Sequence, residues 1–309
     1  MADLPLQSEA RTNGLSSPMV VIGEVLWDVF PDTACLLGGA PLNFSVHASR
    51  LGMHPVLISA TGTDELGRRA EEEIRATGLE AGFIRRSSTW PTGTAAVALD
   101  GDGQPHFQIV RPAAYDDVVL TENDLMRVAK MEPSWIYYGT LFASRPEGDA
   151  TLRRLLSALP HATRFYDVNL RPGCDPLNLV SELLAAANVV KLNESEAERV
   201  SRHLGLPDSL EAFCREASAR FGWRAVCVTL GENGCAMLAG GKFVSARGVP
   251  VKVADTVGAG DAFAAAFVYG LSHDWPAGEI ATFANRVGAL VASRAGAIPE
   301  WSILEAVTA

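Results

Sequence analysis

Nine residues, Asp255-Thr256-Val257-Gly258-Ala259-Gly260-Asp261-Ala262-Phe263, carry the densest chemistry in the chain. They read as a short loop that runs into a helix, because residues 262–271 are apolar, Ala-rich and free of Pro. Gly258 and Gly260 leave the loop backbone open, so its N–H groups can face a ligand. The helix behind adds free N–H groups and a partial positive charge. Together Gly258, Ala259, Gly260 and the helix start suit an anion, above all a phosphate. A carboxylate at Asp261 then needs a job. It either caps the helix or takes a proton from a hydroxyl that attacks the phosphate.

Four other stretches could serve such chemistry. Gly38-Gly39-Ala40-Pro41-Leu42-Asn43 is a glycine turn before a helix. It lets a small polyol approach the backbone, and Asn43 offers a donor and an acceptor. A tight turn with an Asn cap is the plain alternative. Asn193-Glu194-Ser195-Glu196 spaces an amide and a carboxylate three apart at a strand–helix junction, so both can face one point. Such a pair suits a hydrated Mg²⁺ beside phosphates, or simply caps a helix. Asp167-Val168-Asn169-Leu170-Arg171 lies at a strand end, where ligands of parallel sheets collect. Arg171 there either steadies a phosphate or carboxylate or caps Asp167. Thr229-Leu230-Gly231-Glu232-Asn233-Gly234 ends a strand in a glycine turn. The six histidines show no ligand spacing.

The elements that must position these residues alternate. Short apolar runs at 19–23, 56–61, 135–139, 164–168, 189–192 and 225–230 read as strands with helices between them. Helices are expected from Asn43 to Leu51, over 65–77, from a Thr121 cap to about Lys130, near 262–272 and near 277–293. This predicts an α/β fold with a doubly wound, mainly parallel sheet covered on both faces. Residues 94–110 differ: two alternating runs flank Asp100-Gly101-Asp102-Gly103, a β-hairpin pattern. A hairpin inside a βα chain predicts a separate small sheet, with inserted strands near 24–38 and 93–112. Phe107 in that hairpin either closes over a ligand or packs within the sheet.

Length and composition allow one large domain over 18–309, with residues 1–17 expected as a disordered tail. Apolar residues make up 48% of the 309 and supply a sizeable core. The net charge is −10, which argues against nucleic acid or anionic membrane as partner. Five scattered cysteines with no C-x-x-C predict reduced thiols and a cytoplasmic setting. The first 18 residues show no apolar h-region, and no apolar run reaches the ~18 residues of a membrane span. There is no G-x-x-x-x-G-K-[ST], no G-x-G-x-x-G after the first strand, and no H-R-D with D-F-G.

Residues 255–263 closely resemble the C-terminal signature DTxGAGDxF of the PfkB (ribokinase-like) family of carbohydrate kinases. Residues 38–52 resemble that family's N-terminal signature. The resemblance covers nearly all of the chain after residue 18. It implies a ribokinase-like fold with a small β-sheet lid, and transfer of the γ-phosphate of ATP to a sugar hydroxyl. Asp261 would be the catalytic base, and Gly258-Ala259-Gly260 the anion hole. Asp28, Gly38, Gly39 and Asn43 would hold the sugar. Asn193, Thr229, Gly231, Gly234 and Asn285 would line the nucleotide side, although a buried helix Asn equally accounts for Asn285. Glu196 would organise Mg²⁺ through water. Asp255 and the Val257 carbonyl would neighbour a monovalent cation such as K⁺. Homodimers through the lid occur in the family. The runs at 23–31 and 167–172 look most like bacterial fructokinases. 2-Keto-3-deoxygluconate kinase, ribokinase, nucleoside kinase and a non-catalytic sugar- or nucleotide-binding relative stay open.

Overall fold

The computed structural model describes residues 18–29, 35–99 and 105–308, and of 97–99 and 105–107 the backbone alone. The expected tail over 1–17, the turn at 100–103 and the side chain of Phe107 lie outside what is described. The strands are β1 (Met19–Ile22), β2 (Leu26–Val29), β3 (Cys35–Gly38), β4 (Pro55–Gly62), β5 (Ile84–Ser87), β6 (Gly93–Leu99) and β7 (Pro105–Val110). They continue as β8 (Trp135–Gly139), β9 (Thr163–Asp167), β10 (Val189–Asn193), β11 (Ala225–Thr229), β12 (Cys235–Ala239) and β13 (Lys242–Ala246). The helices are α1 (Ala40–Arg50), α2 (Glu65–Ala76), α3 (Glu122–Lys130), α4 (Thr140–Ala143), α5 (Pro146–Ala158) and α6 (Leu177–Ala186). After them come α7 (Glu194–Leu204), α8 (Leu210–Phe221), α9 (Ala259–Ser272), α10 (Ala277–Ala292) and α11 (Ile303–Thr308).

Nine strands form the main sheet in the order β13-β12-β11-β10-β9-β8-β1-β4-β5. All neighbours are parallel except β11–β12 and β12–β13. The central strands β1, β8 and β11 read as largely apolar runs because both faces are covered, whereas the edge strand β5, Ile84-Arg85-Arg86-Ser87, is polar and half exposed. One core packs α1, α9 and α10 against one face, around Phe44, Phe165 and Phe267. The other packs α3, α5, α6, α7 and α8 against the opposite face, around Tyr138, Tyr166 and Phe213. The chain runs outward from β1 in both directions, to β4 on one side and β8 on the other. That point is the topological switch of a doubly wound sheet, and its crevice is where ligands bind.

The hairpin β6–β7 forms with Thr94 opposite Val110. It joins β2 and β3 in a separate four-stranded sheet of order β3-β2-β6-β7. A small core of Leu26, Ala95, Ala113, Tyr115 and Leu141 seats this sheet over the crevice. Thr121 caps α3 through a box with Asp124. Two helix starts differ from expectation: α1 begins at Ala40 rather than at Asn43, with Gly39 as its cap and Pro41 in its first turn, and α9 also begins early. The helix expected from 262 begins at Ala259, with Gly258 as its cap in the left-handed region at φ 79°. Its first turn carries no core residues, so the apolar pattern could not mark it.

A column of rings ties the elements beneath the site together. Phe44 on α1 stacks on Tyr137 with centroids 4.3 Å apart. Tyr137 meets Phe165 at 5.5 Å, and Phe165 meets Phe267 of α9 at 6.0 Å. Phe165→Ala is expected to cost ~3–5 kcal/mol, as for other fully buried Phe. Urea unfolding would measure it; a loss below about 1 kcal/mol would show that this column is not central.

Candidate active site

The C-terminal ends of β1, β8 and β9 open into a cleft of about 360 Å³. Its walls include Glu24, Asp28, Gly39, Asn43, Arg171, Gly258, Gly260 and Asp261. The small sheet roofs it through Leu26, Ala95 and Ile109. A second groove of about 470 Å³ runs along α7 and α8; of the motif residues named above it touches Glu194 alone, whose place in that motif carries no assigned role.

Asn43 and Asp261 are 218 residues apart, yet Asn43 Nδ2 donates to Asp261 Oδ2 at 2.8 Å. Neither is a helix cap. Gly39 caps α1 and leaves Asn43 in its second turn, while Gly258 caps α9 and leaves Asp261 in its first turn. The caps are glycines for steric reasons. Gly39 has φ 111°, and a Cβ there would lie 2.5 Å from the Glu24 carbonyl oxygen. A Cβ on Gly258 would lie 2.1 Å from the Ala297 carbonyl oxygen. Among the described residues the N–H groups of Gly260 and Asp261 make no backbone hydrogen bond, and that of Ala259 reaches Thr256 O only at 3.3 Å. The first turn of α9 therefore presents free donors beside a carboxylate.

Asp28, on β2, turns its carboxyl toward Gly38, where a Cβ would lie 3.1 Å from Oδ2. Burial pushes Asp28 up to about 6. Burial, followed by the Asp167 charge, pushes Asp261 up to about 6, although Asn43, Lys191 and Arg171 act in the opposite sense. Glu24, on the arm directly after β1, is a further acid that no motif of the sequence marks. It lines the cleft, and burial pushes it up to about 7. Its place directly after the first strand was the available signal. The side-chain oxygen of Asn43 and the hydroxyl of Tyr137 are buried with no hydrogen-bond partner among the described residues.

Arg171 lines the cleft, and its one hydrogen bond among the described residues is a long 3.4 Å contact to Leu170 O. Arg111, just after β7 of the small sheet, is occupied. It pairs with Asp116 and donates to Leu141 O at 3.1 Å and to Ser144.

The remaining residues form a shelf beside the cleft. Asn193 and Thr229 face each other in register on β10 and β11. Asn193 caps α7: Glu196 N donates to its Oδ1 at 2.9 Å, and Asn193 N donates to Glu196 Oε2 at 2.8 Å. Glu196 Oε1 accepts from Leu170 N at 2.7 Å, which ties the shelf to the Arg171 loop. Gly231 and Gly234 have φ 57° and 97°, and a Cβ on Gly234 would lie 2.1 Å from the Ala246 carbonyl oxygen. Asn285 of α10 donates to Arg247 O at 3.1 Å on that same segment. Asp255 braces the anion loop, accepting from Val257 N at 3.0 Å and Gly296 N at 3.1 Å. Among the described residues no group of three or more His, Cys, Asp or Glu could hold a metal unaided, and no helix is long and apolar enough to cross a membrane.

A family model described as pfkB family carbohydrate kinase matches residues 28–303. Fructokinase of Klebsiella pneumoniae is 31% identical over 264 residues, covering 82% of this chain and 83% of its own length. Fructokinase-1 of Oryza sativa subsp. japonica is 30% identical over 313 residues, covering 93% and 95%. The fold matches the crystal structure of fructokinase with bound ATP from Xylella fastidiosa at TM-score 0.83 and 23% identity, over 95% of this chain and 98% of that one. The family match takes in Asp28, Asn43, Glu196 and Asp261 together, and the chain belongs to the pfkB family of carbohydrate kinases, phosphotransferases with an alcohol group as acceptor.

Proposed function

We propose that this kinase transfers the γ-phosphate of ATP to a hydroxyl of a neutral ketose, fructose first among them. The Asn43–Asp261 hydrogen bond carries the reading, because it sets an acid and its orienting amide between a polyol cleft and free helix N–H groups. The sugar lies among Asp28, Gly38, Gly39, Asn43 and Glu24. Asp261 accepts the hydroxyl proton as that oxygen attacks the γ-phosphorus. The new P–O bond forms, the bond to the bridging oxygen breaks, and ADP leaves. The N–H groups of Gly258, Gly260 and Asp261 take up the developing charge. ATP runs from there along the shelf of Asn193, Thr229, Gly231, Gly234 and Asn285.

Mg²⁺ would neutralise charge on the ATP phosphates. Glu196 fits a water-mediated role there, since both of its oxygens already accept backbone N–H groups but each keeps a second lone pair. Asp255 and the Val257 carbonyl are the candidates beside a monovalent ion. The small sheet acts as a lid that excludes water from the phosphoryl group. Its exposed Leu36 and Val110, 44% and 50% accessible, suit a homodimer through that sheet.

Arg171 supports a second reading, a keto-acid sugar whose carboxylate it would bind. Three acids in the same cleft, Glu24, Asp28 and Asp261, oppose it, and Arg111 is already paired. Neutral sugar is therefore favoured, with Arg171 serving phosphate or the acids.

Asp261→Asn is expected to lower kcat by ~10²–10⁴ with little change in sugar KM. Retention of more than about half the turnover would remove the base assignment. Because the base must be ionised, kcat/KM should fall about tenfold per unit below about pH 6 and level off above it. Asp28 is also pushed to about 6, so the limb should persist in Asp28→Asn and vanish from the residual activity of Asp261→Asn.

A coupled ADP-release assay over a panel of sugars tests the substrate. Fructose should have the highest kcat/KM, and Asp28→Ala should raise its KM at least ~10-fold through lost hydroxyl contacts. Should 2-keto-3-deoxygluconate be preferred instead, and Arg171→Ala abolish that preference, the keto-acid reading replaces this one.

A further inference from the structure

An ion pair lies beneath the first turn of α9, and the steps above do not use it. Lys191 stands in the apolar run Val189-Val190-Lys191-Leu192 of β10 and is only 7% exposed. Its Nζ donates to Asp167 Oδ1 at 2.9 Å and Oδ2 at 3.2 Å. Asp167 is 1% exposed and faces Lys191 in register from the neighbouring parallel strand β9. A Cβ on Gly260 would come within 3.8 Å of Lys191 Nζ, the one described heavy atom within 4 Å of that point outside the glycine, its chain neighbours and the backbone of its own helix. The ammonium is thus the group directly behind the backbone of the anion site.

The ammonium has three protons, and Asp167 takes two of them. Among the described residues Nζ makes no third hydrogen bond. The buried Tyr137 hydroxyl also lacks a partner, and Asp167 is the charge it feels most. Among the described residues these buried polar groups are therefore incompletely satisfied. A pair buried only to hold two strands together would be poor design, because apolar residues of similar size do that as well or better. A fixed cation behind a phosphate site has a use that apolar residues cannot supply.

We propose that Lys191, pinned by Asp167, is a positioning residue of the phosphoryl site: a fixed cation behind Gly260 that draws the transferred phosphoryl group onto the free N–H groups of α9. The inference rests on the kinase reading and deepens it. The pair does not serve to keep Asp261 ionised, since Asp167 raises the Asp261 pKa more than Lys191 lowers it. Lys191 itself stays charged: burial opposes this, but the Asp167, Glu196 and Asp261 carboxylates outweigh it and hold its pKa above the ordinary value. The two ends of the pair thus divide the work. Asp167 strengthens the base, and Lys191 faces the anion.

Three variants separate this from a structural staple: Lys191→Met, Asp167→Asn, and the double variant Lys191→Met with Asp167→Leu. The readouts are melting temperature, its rise on adding inorganic phosphate, and kcat against KM with ATP and fructose. Wild type should be stabilised by phosphate, since an anion bound only to the folded state raises stability. Lys191→Met should lose that rise. Asp167→Asn, which keeps the cation and removes its countercharge, should keep or enlarge it. The double variant should melt close to wild type, yet show kcat about 10–100-fold down with sugar KM within about threefold.

The proposal is overturned if phosphate stabilises Lys191→Met as it does wild type, if wild type gains nothing from phosphate, or if the double variant recovers kcat along with its melting temperature. An unfolded double variant leaves the decision to Asp167→Asn: a phosphate response lost there as in Lys191→Met makes the pair a staple. Wild type that turns over no sugar would sink the kinase reading, and the phosphate responses would still decide the role of Lys191.

Discussion

A carboxylate that works as a base near neutral pH must be desolvated without being paired too well, and the site is built around that constraint. An arginine bonded to Asp261 would hold it ionised and weaken it as a base. The side chain that does bond it is the neutral amide of Asn43, which orients one oxygen and leaves the other for a hydroxyl. The cations act from further off. Lys191 is spent mainly on Asp167, and Arg171 spreads its influence over Glu24, Asp28 and Asp261. This is why burial dominates all three acids of the cleft.

That arrangement works against the fold. Glu24, Asp28 and Asp261 have pKa values raised in the folded state, to about 7, 6 and 6. Each binds its proton more tightly folded than unfolded, so the stability it contributes is full below its ordinary pKa and is lost as pH rises through 6 to 7. The cleft is least comfortable at the pH where its base is active. Carboxylates elsewhere run the other way. Hydrogen bonds from Thr92 and Gly67 outweigh burial at Asp64, and those from Arg86 and Arg75 do so at Glu71. Both are held below the usual range, so their contribution is present above that range and lost in acid. Stability is drawn from α2 and its Asp64 cap, and strain is concentrated at the crevice, as expected where function sets the local chemistry.

Much of this was legible in the sequence, for identifiable reasons. Apolar runs gave away the central parallel strands, where burial on both faces leaves few polar positions to confuse the period, but not the edge strand β5, whose Arg85 and Arg86 face solvent. Gly258, Gly260 and Asp261 stood out because that combination suits an anion and a base. Other features were hidden by separation or by camouflage. The partners of Arg111 lie up to 33 residues away, so its availability could not be judged. Lys191 is a single charge in a strand whose neighbours are apolar, and only the register with β9 reveals its partner. Glu196 looked like a metal-organising acid; its bonds to Asn193 N and Leu170 N make it a cap and a clasp as well. The start of α9 was obscured because its first turn is devoted to ligand chemistry rather than to the core.

The anion loop is shaped from behind as well as in front, and α1 does both. At its second turn it sends Asn43 to Asp261. At its third it sends His47 toward the segment that follows α10. Trp301 Nε1 can only donate, and it bonds His47 Nδ1 at 3.0 Å, so the proton must sit on Nε2, which donates to Ala297 O at 3.0 Å. Burial pushes His47 down to about 4, which keeps that neutral form in place. One turn further along, Arg50 donates to the carbonyls of Ile298 and Pro299. The oxygen that His47 grips is the same Ala297 carbonyl that leaves no room for a Cβ on Gly258. A single helix therefore sets the orienting amide of the base and, through the 297–299 backbone, the wall against which the anion loop turns. Displacing α1 along its axis would disturb acceptor positioning and phosphate binding together, which couples the two halves of the reaction without any moving part between them.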